Sequence, residues 1–187
     1  MNPVHKKFSR RARVATGGAV LAVVALAGFG AVNANASAPA TTSAAATSAA
    51  VPARATTTHL TIDAATDAAR AALDAAEKEN QRVTVAVVDR NGNTIVTLRG
   101  DGAGPQSYES AERKAFTAVS WNAPTSQLTE RLQQAPTLKD IPGTLFLAGG
   151  VPVTAGNAPI AGIGVAGAPS GALDEKFAQA GAQAVGR

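Results

Sequence analysis

Residues 83–88, VTVAVV, form a short and almost continuously apolar run rich in β-branched side chains. A run of that length and composition suits a strand covered on both faces better than a helix. The next five residues, Asp89-Arg90-Asn91-Gly92-Asn93, are a strong turn signal, and residues 94–99 then alternate in the manner of a second strand. A β-hairpin is therefore expected near the start of any folded unit, and the rest of the chain must supply the layers that cover it.

The flanking patterns read as helices. Thr61 is placed to cap a helix over residues 62–80, with Asp63 favourable in its first turn. Ile62, Ala65, Ala69, Ala72, Leu73 and Ala76 recur at helical spacing and give it a narrow face of small residues. Residues 100–105, GDGAGP, lack the lysine and hydroxyl of a phosphate-cradling loop and follow a hairpin, so their glycines are read as allowing positive φ or close backbone approach. Helices are expected over residues 107–121 and 125–134, broken by Asn122-Ala123-Pro124. A strand over 144–148 follows, then a Gly149-Gly150 turn. A second hairpin pairs residues 151–154 with 159–165, and the last helix covers 172–185. The order helix, two strands, two helices, three strands, helix predicts an α+β fold, an antiparallel sheet flanked by helices.

The first 58 residues belong to a different regime. Residues 1–36 hold five cations, Lys6, Lys7, Arg10, Arg11 and Arg13, and no acid. With an apolar run over 14–32 and the small-residue pattern Ala34-Asn35-Ala36, they read as a secretory signal cleaved after Ala36. Ser9-Arg10-Arg11 opens like a twin-arginine signal, although Arg13 interrupts that pattern. Residues 37–58 are almost entirely Ala, Thr, Ser and Pro with one charge, a composition that cannot offset chain entropy by burial and reads as a flexible linker. The folded unit is expected over 59–187, with 11 cations against 13 acids, a size that can hold its own core. The basic balance of the whole chain thus resides in the leader, and with 4% aromatics there is little to stack on bases; no nucleic-acid partner is expected. An exported protein, secreted or cell-wall associated, is the expectation.

Four segments and their order carry a family resemblance. They are VAVVDRNGNTIVTLRGDGA (residues 85–103), SAERKAFTAVSWNAPTSQL (110–128), LFLAGGVPV (145–153) and GIGVAGA (162–168), followed by Asp174. Over nearly all of residues 60–185 the chain resembles the GlcG/HbpS family of haem-binding proteins, and with its leader the secreted HbpS-like branch. The resemblance implies a profilin-like, GlcG-like α+β fold, a homo-oligomer that is octameric in that branch, and surface binding of haem b. It also implies haem or redox sensing through a membrane sensor kinase, a two-component system.

The residues restrict how haem could be held. Axial ligands are usually His, Cys, Met or Tyr. The chain has no cysteine, its one methionine is Met1, its one histidine beyond the leader is His59, and its one tyrosine is Tyr108. His59 stands where tail meets first helix, and the plainer account is a solvated boundary histidine. Tyr108 opens the second helix, and the plainer account there is a packed aromatic with a wet hydroxyl. On the same helix Arg113, Lys114, Thr117 and Trp121 fall at i, i+1, i+4 and i+8. Cations can hold the two propionates and an indole can cover part of the porphyrin. The resemblance implies iron held by a threonine, a role the KAFTA segment carries onto Thr117. Against it stands ordinary helix packing for Thr117 and a solvated cationic face for Arg113 and Lys114. Glu109 and Glu112 share a helical face and offer hard oxygen ligands for iron, although acids near a helix N-terminus also simply complement the dipole.

Other chemistries fare poorly. A Ser-His-Asp site would have to use His59, and a His-rich zinc centre cannot be built from one histidine. A binding and sensory module is the leading expectation. The alternative is a haem-degrading or small-molecule enzyme of the GlcG type that releases iron. A cell-surface structural protein that keeps only the fold is the third reading.

Overall fold

The computed structural model describes residues 55–186. The expected leader and residues 37–54 of the expected linker lie outside the described residues. Nine elements follow in order: α1 (Ile62–Lys78), β1 (Thr84–Asp89), β2 (Thr94–Arg99), α2 (Gln106–Trp121), α3 (Thr125–Arg131), a 3-10 turn (Pro136–Asp140), β3 (Gly150–Ala155), β4 (Ala158–Ala166) and α4 (Gly171–Val185). The strands form one sheet in the order β2-β1-β4-β3, antiparallel throughout. The fold is the expected α+β class.

The hairpin follows the sequence closely. Asp89 at the end of β1 accepts hydrogen bonds from the Asn91 and Asn93 N–H groups and from the Asn93 side-chain amide, which closes the turn. Gly92 within it has φ of +90°, a conformation L side chains rarely adopt. α1 begins at its Thr61 cap, whose Oγ1 accepts from the Ala64 N–H. It ends in a Schellman arrangement, with Asn80 at φ of 55° and the Gln81 and Asn80 N–H groups donating to Ala76 O and Glu77 O. The expected end at residue 80 had included this cap.

Helices cover both faces of the sheet. α1 and α4 pack on one side, where Val83, Val85, Val87, Val151, Val153, Ile163, Val165 and Phe177 join the alanines of α1 in the main core. Each buried valine or phenylalanine of this kind contributes about 1.5–3 kcal/mol by leaving water. α2 alone covers the centre of the other side, and the alternation along β4 explains how. Ala161, Ile163 and Val165 enter the main core, whereas Gly162 and Gly164 lie beneath α2. A Cβ on Gly164 would run into the carbonyl of Ala111, and one on Gly162 into the carbonyl of Ala115. With alanines at 111, 115 and 118 on its own inner face, α2 sits directly on the backbone of the sheet.

The second half of the chain departs from expectation in one place. Residues 144–148 are not a strand, so two strands rather than three follow the helices. The main chain of residues 144–149 is tied instead to side chains of three helices. Arg113 of α2 donates to Thr144 O, Thr117 of α2 accepts from Leu145 N, Thr129 of α3 donates to Phe146 O, and Glu175 of α4 accepts from Gly149 N. Backbone groups satisfied this way need no neighbouring strand. We call residues 141–149 the strap. α3 is also shorter than expected, giving way to turns before Pro136 opens the 3-10 segment.

Candidate functional site

The outward side of α2 carries Tyr108, Glu109, Glu112, Arg113, Phe116 and Ser120, all at least partly exposed. Between this helix, the β1–β2 turn and the strap lies a shallow depression of about 180 Å³, lined by Val88, Gly92, Thr94, Glu112, Arg113, Phe116 and Gly143. The Phe116 ring lies so close over Gly92 that a Cβ there would approach it to 2.7 Å. Gly92 thus serves the turn and leaves room for the ring.

Charged groups around the depression are held from several sides. Glu112 accepts from the Thr97 hydroxyl at 3.3 Å and, more loosely, from Thr94 at 3.5 Å. Arg113 donates from Nη2 to Thr144 O at 2.9 Å and stands 3.5 Å from Glu109, with its side chain 42% exposed. One of the five guanidinium donors is thereby hydrogen-bonded and a second nitrogen faces Glu109, and the group remains open to an anion from solvent. Glu109 turns toward Arg113 and Glu112 toward β2, so the two carboxylates serve different partners. Among the described residues no three His, Asp or Glu side chains gather where they could hold a metal ion.

Two expected ligands of this face are found inside the protein. Lys114 points inward, 4% exposed, and its ammonium donates to Asp174 Oδ2 at 2.7 Å and to Val165 O at 3.0 Å. It is therefore not available to a propionate. The reason is its position: Ala111, Lys114, Ala115 and Ala118 form one helical face, and that face meets the sheet. Burial pushes the Asp174 carboxyl above its ordinary pKa, against the opposing pull of Lys114 and of the Ala168 N–H. Thr117 is fully buried, with Oγ1 donating to Arg113 O at 2.7 Å and accepting from Leu145 N at 2.8 Å. A hydroxyl so engaged presents no face to an iron at the surface.

The remaining candidates scatter. Trp121 closes α2 and packs edge-on against Phe146, ring centroids 5.3 Å apart, in a small second core with Leu128, Leu132 and Leu138. His59 is exposed, bonds Thr57 Oγ1 at 2.8 Å, and leads into α1 on the opposite face of the sheet from α2. Tyr108 stays on the outer side of α2, 46% exposed. Sequence reasoning passed over Phe116, Gly92, Gly143 and the strap. Its one available signal was an aromatic set between Ala115 and Thr117 on the side of α2 away from the alanine face.

Residues 60–183 match the family described as "Haem degrading protein HbpS-like", and the chain belongs to the HbpS-like family. Among solved structures it is similar to a double mutant of HbpS from Streptomyces reticuli, at 73% identity over 74% of this chain and 98% of that one, with a TM-score of 0.71. The structure described as the PduOC–haem complex is similar at 27% identity, over 68% of this chain and 95% of that one, with a TM-score of 0.62. An uncharacterised 15.0 kDa protein of the dhaT–dhaS intergenic region of Citrobacter freundii is 31% identical over 113 residues, 58% of this chain and 80% of the relative.

Proposed function

We propose that this protein binds haem on the outer face of α2, at a surface site rather than in an enclosed pocket. The observation that carries the reading is the meeting of the Phe116 ring and the half-exposed Arg113 guanidinium around one depression. Membership of a family described by haem, and likeness to a solved haem complex, supply the ligand's identity.

The residues suit the group. Phe116 offers an apolar ring to the porphyrin, and Arg113 keeps donors for a propionate. Tyr108, Glu109 and Glu112 supply oxygen atoms on the same face, whereas the single histidine of the described residues precedes α1 and is not part of the depression's lining. The depression, at about 180 Å³, is below the roughly 300–1,000 Å³ of pockets that engulf a ligand. Haem held here is exposed to solvent and exchangeable, which suits capture and signalling. Bound haem supplies redox reactivity toward peroxide.

On this reading the Arg-rich leader exports the protein. A homo-oligomer, octameric as the family resemblance implies, covers porphyrin surface that one chain leaves bare, and a membrane sensor kinase receives the signal. The family's description as haem-degrading favours a second reading, in which the bound haem is broken down and its iron released.

Titration with ferric haem, followed in the Soret band, tests the proposal. A saturable change is expected, and its absence at micromolar protein rejects haem binding. Adding peroxide to the complex separates the two readings. Loss of the Soret band with release of iron means degradation, and a persistent band means capture alone.

A further inference from the structure

Until Gly149, whose carbonyl accepts from the Val165 N–H of β4, the strap pairs with no strand, and its place over α2 depends on individual side chains. Two of these, Arg113 and Thr117, lie one helical turn apart and grip consecutive residues, Thr144 through its carbonyl and Leu145 through its N–H. Gly143, next in the strap, lines the depression with Phe116 and Arg113. The Thr117 hydroxyl also donates to Arg113 O, so one buried oxygen joins the helix backbone at Arg113 to the strap.

We infer that Thr117 is the positioning residue of the proposed haem face: it acts through Leu145 to hold the strap and, with it, the carbonyl that orients the Arg113 guanidinium. This deepens the haem reading and rests on it. Without the hydroxyl, the Leu145 N–H loses its partner, and the peptide that presents Thr144 O is free to turn. Arg113 then loses the fixed carbonyl that directs its remaining donors outward. A buried donor left unpaired is costly, so the strap shifts rather than tolerates it.

Thr117→Val keeps the shape and removes the hydroxyl, and Thr117→Ser keeps the hydroxyl. In the haem-free protein, hydrogen exchange at the Leu145 amide should be much faster in Thr117→Val and close to the unmodified protein in Thr117→Ser. Ferric haem should bind about tenfold more weakly to Thr117→Val, with affinity largely restored in Thr117→Ser. The Soret maximum at saturation should be the same in all three, because the iron's ligand is not altered. Unchanged Leu145 exchange in folded Thr117→Val overturns the inference, as does unchanged haem affinity. A displaced Soret maximum in Thr117→Val also overturns it and makes Thr117 a ligand. If the unmodified protein binds no haem, the haem reading fails by itself, and the exchange experiment still decides whether Thr117 holds the strap.

Discussion

Lys114 and Asp174 form an ion pair of 2.7 Å between α2 and α4, with each side chain only 5% exposed. Lys176 and Glu79 meet at a similar 2.6 Å, but at the surface, with side chains 60% and 38% exposed. Distance is nearly the same, so burial decides the difference. Removing one partner of a buried pair strands the other charge and costs about 3–5 kcal/mol, whereas an exposed pair contributes about 0–1 kcal/mol. Lys114→Ala should therefore lower the urea midpoint sharply and Lys176→Ala barely move it. Equal effects would contradict the placement of Lys114.

The seating of α2 on glycine makes a second prediction. Gly164→Ala drives a methyl group into the Ala111 carbonyl, which neither helix nor sheet can easily yield. Overpacking of this sort costs about 1–3 kcal/mol or more. Gly156, in the β3–β4 turn, has nothing within 4 Å of its would-be Cβ and a φ of +60°. Its replacement by alanine bears only the left-handed backbone strain of about 1–2 kcal/mol. Thermal unfolding of the two variants should rank them in that order.

What the sequence made legible was local. The hairpin is written in adjacent residues, and β2 begins and ends where alternation places it, at Thr94 and Arg99. The Thr61 cap and the break at Asn122 are equally local, with Asn122 in the left-handed region at φ of 49°. The strap was misread because a short apolar run such as TLFLA has the same pattern whether a strand or distant side chains satisfy its backbone. Its partners lie at Arg113, Thr117, Thr129 and Glu175, and no periodicity links them to it. Lys114 was read as part of a cationic face because it adjoins Arg113, yet its three-residue and four-residue spacing from Ala111 and Ala118 already placed it on the small-residue side. The partner that makes its burial tolerable, Asp174, is 60 residues away.

Asp89 gives the fold a dependence on acid. Burial pushes its carboxyl up, but hydrogen bonds from the Asn93 N–H, the Asn93 side chain and the Asn91 N–H outweigh this, with a smaller contribution from the charge of His59. The net pKa lies below the ordinary aspartate value. A carboxyl with a lowered folded pKa stabilises fully above its unfolded value and loses that contribution as pH falls through the folded one. The stability difference between the unmodified protein and Asp89→Asn should hold steady through neutral and mildly acid solution and narrow below about pH 4. A difference that does not change in that window would contradict the turn's role.

The central claim is that haem lies on the outer face of α2. Its most direct test is the ferric haem dissociation constant, from Soret titration, of Arg113→Ala, Phe116→Ala and His59→Ala beside the unmodified protein. Arg113→Ala and Phe116→Ala should each weaken binding about tenfold or more, through loss of a charge-assisted hydrogen bond in one and of ring contact in the other. His59→Ala should bind as the unmodified protein does. Binding abolished by His59→Ala and untouched by the two α2 variants would move the haem off the outer face of α2 and contradict the account.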